Sequence, residues 1–195
     1  MARSGLTRET VIQAAVNLIH HRGLDDLTLL DLASIMGVKP PSLYNHIRGI
    51  TDLRRELSMH ALEKMIEVAI KALHKKKERS AIRSFSKAYR NYAKLHPGLY
   101  HLGCVYPSME DTAWHDIYMK YREEFTRCFS SYQMPEATLR NTARSLRSLM
   151  HGFVLFEIND SWLQSTNTDT TYEYAIKLFC DALESRRNLK IKNAK

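Results

Sequence analysis

The chain has no long apolar run, few cysteines and few glycines, and each shortage narrows what it can be. Its apolar stretches extend only a few residues, far short of the ~20 needed to span a bilayer as a helix. The basic start "MARSGL" leads into an amphipathic segment, so neither a signal peptide nor a membrane span is expected, and the expected location is the cytoplasm. Three cysteines, Cys104, Cys128 and Cys180, are odd in number and far apart, which suits reduced core thiols better than a disulfide framework. Nucleotide-binding glycine patterns, nucleophile elbows and zincin motifs are all missing, so neither catalysis nor a cofactor is expected. The spacing of His96, His101 and Cys104 could hold a metal ion. Pro97 and Gly98 intervene, however, and no acidic partner follows closely, so no metal site is expected.

What is present is a chain of 195 residues, 44% of them hydrophobic, long enough to bury a substantial core. The formal charge of +8 invites a nucleic-acid reading, but location matters more than size. Lys plus Arg against Asp plus Glu stands at 7 to 6 over residues 1–60 and 10 to 3 over 61–96; it is 6 to 8 over 97–160 and 6 to 4 over 161–195. The excess sits in "KALHKKKERSAIRSFSKAYRNYAK", which reads most simply as a solvated helix face and connector. Charge alone therefore identifies no DNA-binding part.

Helical periodicity runs nearly throughout and no strand pattern competes with it, so the fold class is all-α. In "LTRETVIQAAVNLIHHRG" Val11, Ala15, Leu18 and Ile19 share one face. Thr7 is a plausible N-cap, and Gly23 follows a last turn of His20, His21 and Arg22. In "LTLLDLASIMG" Thr28 and Asp31 have capping-box-like spacing, while Leu32, Ala33 and Met36 supply the buried stripe. Gly37 can take the positive φ of a sharp helix-to-helix turn, and Ala33 and Gly37 are small where two helices cross. "VKPPSLYNHI" then opens with two prolines. A helix's first turn has amides without intrahelical acceptors, so Pro40 and Pro41 forfeit nothing there, and Lys39 before them is pushed toward extended geometry. A short helix is expected from Pro40 to its end at Gly49, with Leu43 and Ile47 inward and Pro41, Ser42 and Asn45 outward. Together these segments form a helix-turn-helix.

The stretch "LTLLDLASIMGVKPPSLYNHIRGITDL" resembles the DNA-binding motif of the TetR transcriptional regulators. "GV" at Gly37 and Val38 is followed by "LYNHI" where the family typically shows Leu-Tyr-any-His or Tyr-Phe, and the first helix with its "RG" ending matches as well. The resemblance covers residues 1 to about 55. It departs at Lys39, where a Ser or Thr usually caps, and at Ile50, where a Lys often meets the DNA backbone; Arg48, Arg54 or Arg55 is left to supply that charge. The resemblance implies an N-terminal three-helix DNA-binding domain over 1–50. An effector-binding and dimerisation domain would span 51–187 as a larger helical bundle, with a basic tail over 188–195. A helix in the major groove would read bases with Asn45, Ser42 and Pro41, while Thr28, Lys39, Tyr44, His46 and Arg48 reach phosphates.

Beyond the head, helices are expected from Thr51 through Ala72, over 80–95, 110–132, 136–158 and 171–187, with a break at Pro97. "YAKLHPGLY" and "LMHGFVLFE" resemble two segments of the TetR subgroup called WHG, without its usual tryptophan. In TetR-like proteins the last two helices pair with their two-fold mates, which implies a homodimer. Leu146, Met150, Phe153, Ile176, Phe179 and Leu183 are the candidate interface, although the same stripes could be the chain's own core. Tyr89, Tyr92, His96, Tyr100, Trp114, Tyr118 and His151 are candidates to line a pocket for a small organic effector, and Tyr106 and Phe156 are of the same kind. The implied function is a ligand-responsive repressor on a palindromic double-stranded operator. The reading from another class is an all-helical small-molecule binding protein that does not read DNA.

Overall fold

The structure is a computed structural model that describes residues 5–105, 110–161 and 167–193, with the side chains of 105 and 188–193 excepted. Tyr106 and the side chains of the expected basic tail thus lie outside the described residues. The described residues are all-helical: α1 (Arg8–Arg22), α2 (Leu29–Met36), α3 (Pro40–Leu43), α4 (Ile50–Leu73), α5 (Glu78–Leu95), α6 (Pro97–Val105), α7 (Thr112–Thr126), a 3-10 helix (Arg127–Tyr132), α8 (Glu136–Ile158) and α9 (Thr168–Asn193).

Beyond α5, three features differ from the sequence expectation. The break at Pro97 is a junction between helices: Pro97 is the first residue of α6, where its missing N–H costs no bond and its φ is already helical. Residues 110–132 divide into α7 and a tighter 3-10 helix, and α9 extends past 187 to Asn193. α8 has the expected bounds, 136–158.

The chain forms two compact units that interleave in sequence, one of Met1–Lys64 with His96–Tyr118 and one of Met65–Leu95 with Met119–Lys195. In the first, Val11, Ala15, Leu18 and Ile19 of α1 meet Leu32 and Ala33 of α2 and Leu53, Leu57 and Ala61 of α4, and Leu99 and Leu102 of α6 close the cluster. Burying this apolar surface is the main term favouring the unit. Thr7 caps α1 in a full capping box with Thr10. The α6 backbone approaches α1 so closely at Gly98 that an added Cβ would lie 2.5 Å from Ile19 Cγ2 and 3.4 Å from Leu24 Cβ. Glycine is therefore required there by packing.

In the second unit α5 is the central helix and packs against α8, α9 and the 3-10 helix. It contributes Ile82, Phe85, Tyr89, Tyr92 and Ala93 to a core completed by Phe125, Phe129, Leu146, Met150, Val154, Ile176 and Cys180. Arg90 sits within this apolar surround. Its Nε donates to Glu157 Oε2 at 2.7 Å and its Nη2 lies 2.7 Å from Asp169 Oδ1, while the rings of Tyr172 and Phe153 lie 4.8 and 5.6 Å from the guanidinium carbon. A buried charge without a partner is strongly disfavoured, so each ion requires the other. Burial pushes the Glu157 carboxyl up, but bonds from Arg90 and Thr168 hold it below its ordinary value.

Glu157→Gln is expected to lower stability by about 3 kcal/mol at neutral pH, measured by urea unfolding, because it removes the buried carboxylate and leaves Arg90 only the exposed Asp169 as a charged partner. The depressed carboxyl stabilises the fold fully above its unfolded value near 4.5. That contribution is lost as pH falls through the lower folded value, so the gap between native and variant proteins should close on acidification through that point.

Candidate nucleic-acid interface

Residues 28–48 build one outward face from local chemistry. The Thr28 hydroxyl accepts from Asp31 N–H at 3.0 Å and caps α2, but it donates to the Asp31 carboxylate instead of leaving that carboxylate to the Thr28 N–H. Only half of a capping box forms. At the other end Gly37 has φ +66°; its N–H donates to Ser34 O, and the N–H of Val38 donates to Ala33 O. This is the left-handed closure that glycine alone adopts without strain. A Cβ at Gly37 would meet nothing within 4 Å, so conformation and not helix crossing explains it.

Lys39 is extended (φ −76°, ψ 140°) and caps nothing with its side chain, and Pro40 and Pro41 open α3. The regular helix stops at Leu43, short of the expected end at Gly49. After it Tyr44 N–H bonds Pro41 O, and both His46 and Ile47 bond Leu43 O, the first as an i−3 bond and the second as i−4. Prolines at the first two positions cost the helix no bond, but the bonds after them mix i−3 with i−4 spacing, so no regular ladder propagates past Leu43. The expected sidedness survives. Leu43 and Ile47 are buried in the core of the first unit, while Pro41, Tyr44, Asn45 and Arg48 are exposed, Tyr44 by 58%. Thr28 and Lys39 are also exposed; Ser42 and His46 are half-buried.

Of the three arginines considered for the phosphate side, Arg48 and Arg54 face solvent. Arg55 turns inward to Asp111 and Glu56. Arg8 on α1 was not singled out by sequence, yet its Nη1 donates to the His46 carbonyl at 3.3 Å and its Nη2 lies 2.7 Å from Glu56 Oε1. A lone arginine in a helix's first turn carries no sequence signal of such contacts.

The candidate effector residues divide between the units. His96, Tyr100, Trp114 and Tyr118 belong to the first; Tyr89, Tyr92 and His151 belong to the second. Trp114 is buried, stacks on Tyr118 at 5.2 Å and donates through Nε1 to Ser58 Oγ at 2.8 Å. His96 lies 5.8 Å from the His20 ring, and burial followed by the charge of His20 lowers its pKa. Tyr89 and Tyr92 are core residues, and His151 is half-buried. A cavity of about 360 Å³ in the second unit is lined by other residues, among them Arg83, Ser86, Lys87, Arg90, Tyr172 and Glu173. The charged members lie on helix faces that sequence reads as solvated.

Of the candidate dimer residues, Leu146, Met150, Phe153, Ile176 and Leu183 are buried within the single chain, and Phe179 is half-buried. Among the described residues of the same two helices, the exposed large apolar side chains are Phe156 (52%), Tyr174 (59%) and Leu178 (50%). No described helix is long and apolar enough to cross a membrane.

Comparison with known proteins agrees with this architecture. The family described as bacterial regulatory proteins, tetR family, matches residues 11–57, and the tetracyclin repressor-like C-terminal domain matches residues 82–179. The WHG subtype expected from the C-terminal segments is not shown by that second match. An uncharacterized HTH-type transcriptional regulator, YobS, of Bacillus subtilis is 27% identical over 93% of this chain and 94% of its own length. A second such regulator, from Mycobacterium tuberculosis, is 28% identical over 93% of this chain and 83% of its own. Among solved structures, a TetR variant from Acinetobacter baumannii AYE in complex with minocycline shares the fold with a TM-score of 0.71. It is 19% identical, over 94% of this chain and 99% of that one. A helix-turn-helix that buries Leu43 and Ile47 while facing Tyr44 and Asn45 outward, joined to a matching helical C-terminal region, makes this chain a member of the TetR family of DNA-binding transcriptional regulators.

Proposed function

We propose that the protein is a cytoplasmic, ligand-responsive repressor that binds a palindromic operator as a homodimer. The observation that carries this reading is the sidedness of residues 41–48, with Leu43 and Ile47 buried and Pro41, Tyr44, Asn45 and Arg48 exposed. Asn45 presents a donor and an acceptor side by side, which suits adenine; Ser42 pairs with several base edges; Pro41 packs on a thymine methyl. Thr28, Lys39, Tyr44, His46 and Arg48 hold phosphates and fix register. The head is nearly neutral over residues 1–60, so one protomer's affinity is modest and pairing two heads on half-sites supplies the remainder.

The dimer surface is the outer face of α8 and α9, where Phe156, Tyr174 and Leu178 are exposed. Gly152 on α8 has open space at its Cβ position, leaving room for a partner helix. Leu146, Met150, Phe153, Ile176 and Leu183 brace the same helices from inside, and Phe179 lies at the margin. A small organic effector is supported by the minocycline complex of the structurally similar A. baumannii protein. By linkage, an effector that releases DNA is itself bound more weakly, by the same factor, when operator is present.

In a titration against a duplex selected from a random library by the native protein, Asn45→Ala is expected to lower affinity about tenfold and relax preference at one base pair. Tyr44→Phe should weaken binding to every duplex alike. Unchanged affinity in both variants would remove these residues from the interface. Leu178→Glu should yield monomer in light scattering and lose operator binding at concentrations that saturate the native protein; a variant that stays dimeric places the interface elsewhere.

A further inference from the structure

We infer that Arg8, Glu56, Arg55 and Asp111 are positioning residues for DNA reading, a chain of charged hydrogen bonds that fixes the recognition segment from the N-terminal end of α7. The inference rests on the proposed reading of residues 41–48 as the groove-facing segment.

The chain can be followed atom by atom within the first unit. The His46 carbonyl, in the turn that carries Tyr44 and Asn45, accepts from Arg8 Nη1 at 3.3 Å. Arg8 Nη2 lies 2.7 Å from Glu56 Oε1, and the same oxygen accepts from Arg55 Nη1 at 2.7 Å. Arg55 then grips both oxygens of Asp111, with Nε to Oδ2 and Nη2 to Oδ1 at 2.8 Å. Asp111 Oδ1 also accepts from the Trp114 N–H at 3.2 Å, and the Trp114 indole donates to Ser58 of α4. A side branch runs through Asp52, which lies 3.6 Å from Arg8 and accepts from the Arg48 N–H at 3.1 Å. The His46 carbonyl and the Arg48 amide are therefore both linked to Asp52, the first through Arg8 and the second directly.

The chemistry makes this more than a set of surface pairs. Glu56 and Asp111 are each only 13% exposed and Arg55 27%, so solvent screens them less than an exposed pair. A two-pronged guanidinium–carboxylate bond is directional as well as strong. The Arg55 bond holds the Asp111 carboxyl below its ordinary range, against the opposing effect of burial. One Glu56 oxygen serves two arginines, so the two ends are coupled. If Asp111 leaves, Arg55 keeps Glu56 as its carboxylate and competes with Arg8 for it, and Arg8 loosens from the His46 carbonyl.

None of these four groups needs to touch DNA, and that separates the inference from a direct phosphate contact by Arg8. The test is fluorescence anisotropy of the full-length protein on its selected duplex and on a random duplex, across a salt series. Asp111→Asn and Arg8→Gln should each lower affinity for the selected duplex about tenfold. Random-duplex affinity and the slope of log affinity against log salt should stay unchanged, whereas Arg48→Gln reduces the slope by about one per protomer. The double variant should be no weaker than Arg8→Gln alone, as for members of one chain, and Asp111→Glu should recover most of the loss. Native discrimination in Asp111→Asn, additive losses in the double variant, or a reduced slope for Arg8→Gln would each overturn the inference. Should Asp111→Asn fail to fold by circular dichroism, Arg8→Gln decides alone: lost discrimination at constant slope supports the inference, and native discrimination overturns it. A native protein that selects no duplex overturns the DNA-reading proposal and this inference with it.

Discussion

The burial of Leu43 and Ile47 is the constraint on which the functional face depends. These two residues, one helical turn apart, insert into the core formed by α1, α2 and α4. Pro41, Tyr44, Asn45 and Arg48, between and beside them, then face away from that core, while Ser42 and His46 are half-buried. Regular helical hydrogen bonding is not required for this: α3 is only four residues long, and the turns after it preserve the inward spacing. The prolines contribute a fixed entry angle, since Pro40 follows an extended Lys39 and starts the helix with its φ already set. The glycine at 37 contributes the reversal before them. Side-chain burial thus orients the segment, and backbone chemistry sets where it begins.

Electrostatics supplies the second layer, and the two inward-turned arginines illustrate different uses of the same side chain. Arg90 is surrounded by apolar rings and satisfied by Glu157 and Asp169, an arrangement that fixes how α5, α8 and α9 meet. Buried ion pairs of this kind add little net stability but penalise every packing that separates the partners. Arg55 is half-buried and joins Glu56 of α4 to Asp111 just before α7, which ties separate stretches of the chain within the first unit. Most of the cationic excess over residues 61–96 lies outside both clusters, with Arg90 and its neighbour Lys94 the members that meet Glu157. Net charge was a poor guide to the interface for that reason.

Local signals were legible in the sequence because they act over three or four residues. The Thr7 cap, the positive φ at Gly37, the proline-opened α3 and the bounds of α8 all follow from near-neighbour chemistry. α6 was hidden because "HPG" marks a break equally well whether a loop or a new helix follows. Arg8 and Asp111 were hidden because their partners are 38 or more residues away, and nothing in their own neighbourhoods reveals the contact. Apolar periodicity in α8 and α9 selected Leu146, Met150 and Ile176, which face the chain's own core; the exposed Phe156, Tyr174 and Leu178 carry a weaker pattern. Of the aromatic residues read as candidate pocket walls, Trp114 and Tyr89 are buried in the single chain. The family, by contrast, was legible in full from the head, since its motif records the same inward and outward alternation that the structure displays.

Hydroxyl-radical footprinting of the native protein with and without its selected duplex tests the sidedness of residues 43–47 most directly. The account predicts that Tyr44 is oxidised in the free protein and protected by the duplex, while Leu43 and Ile47 resist oxidation in both states. Labelling of Leu43 or Ile47 in the free protein, or a Tyr44 whose reactivity ignores the duplex, would contradict it.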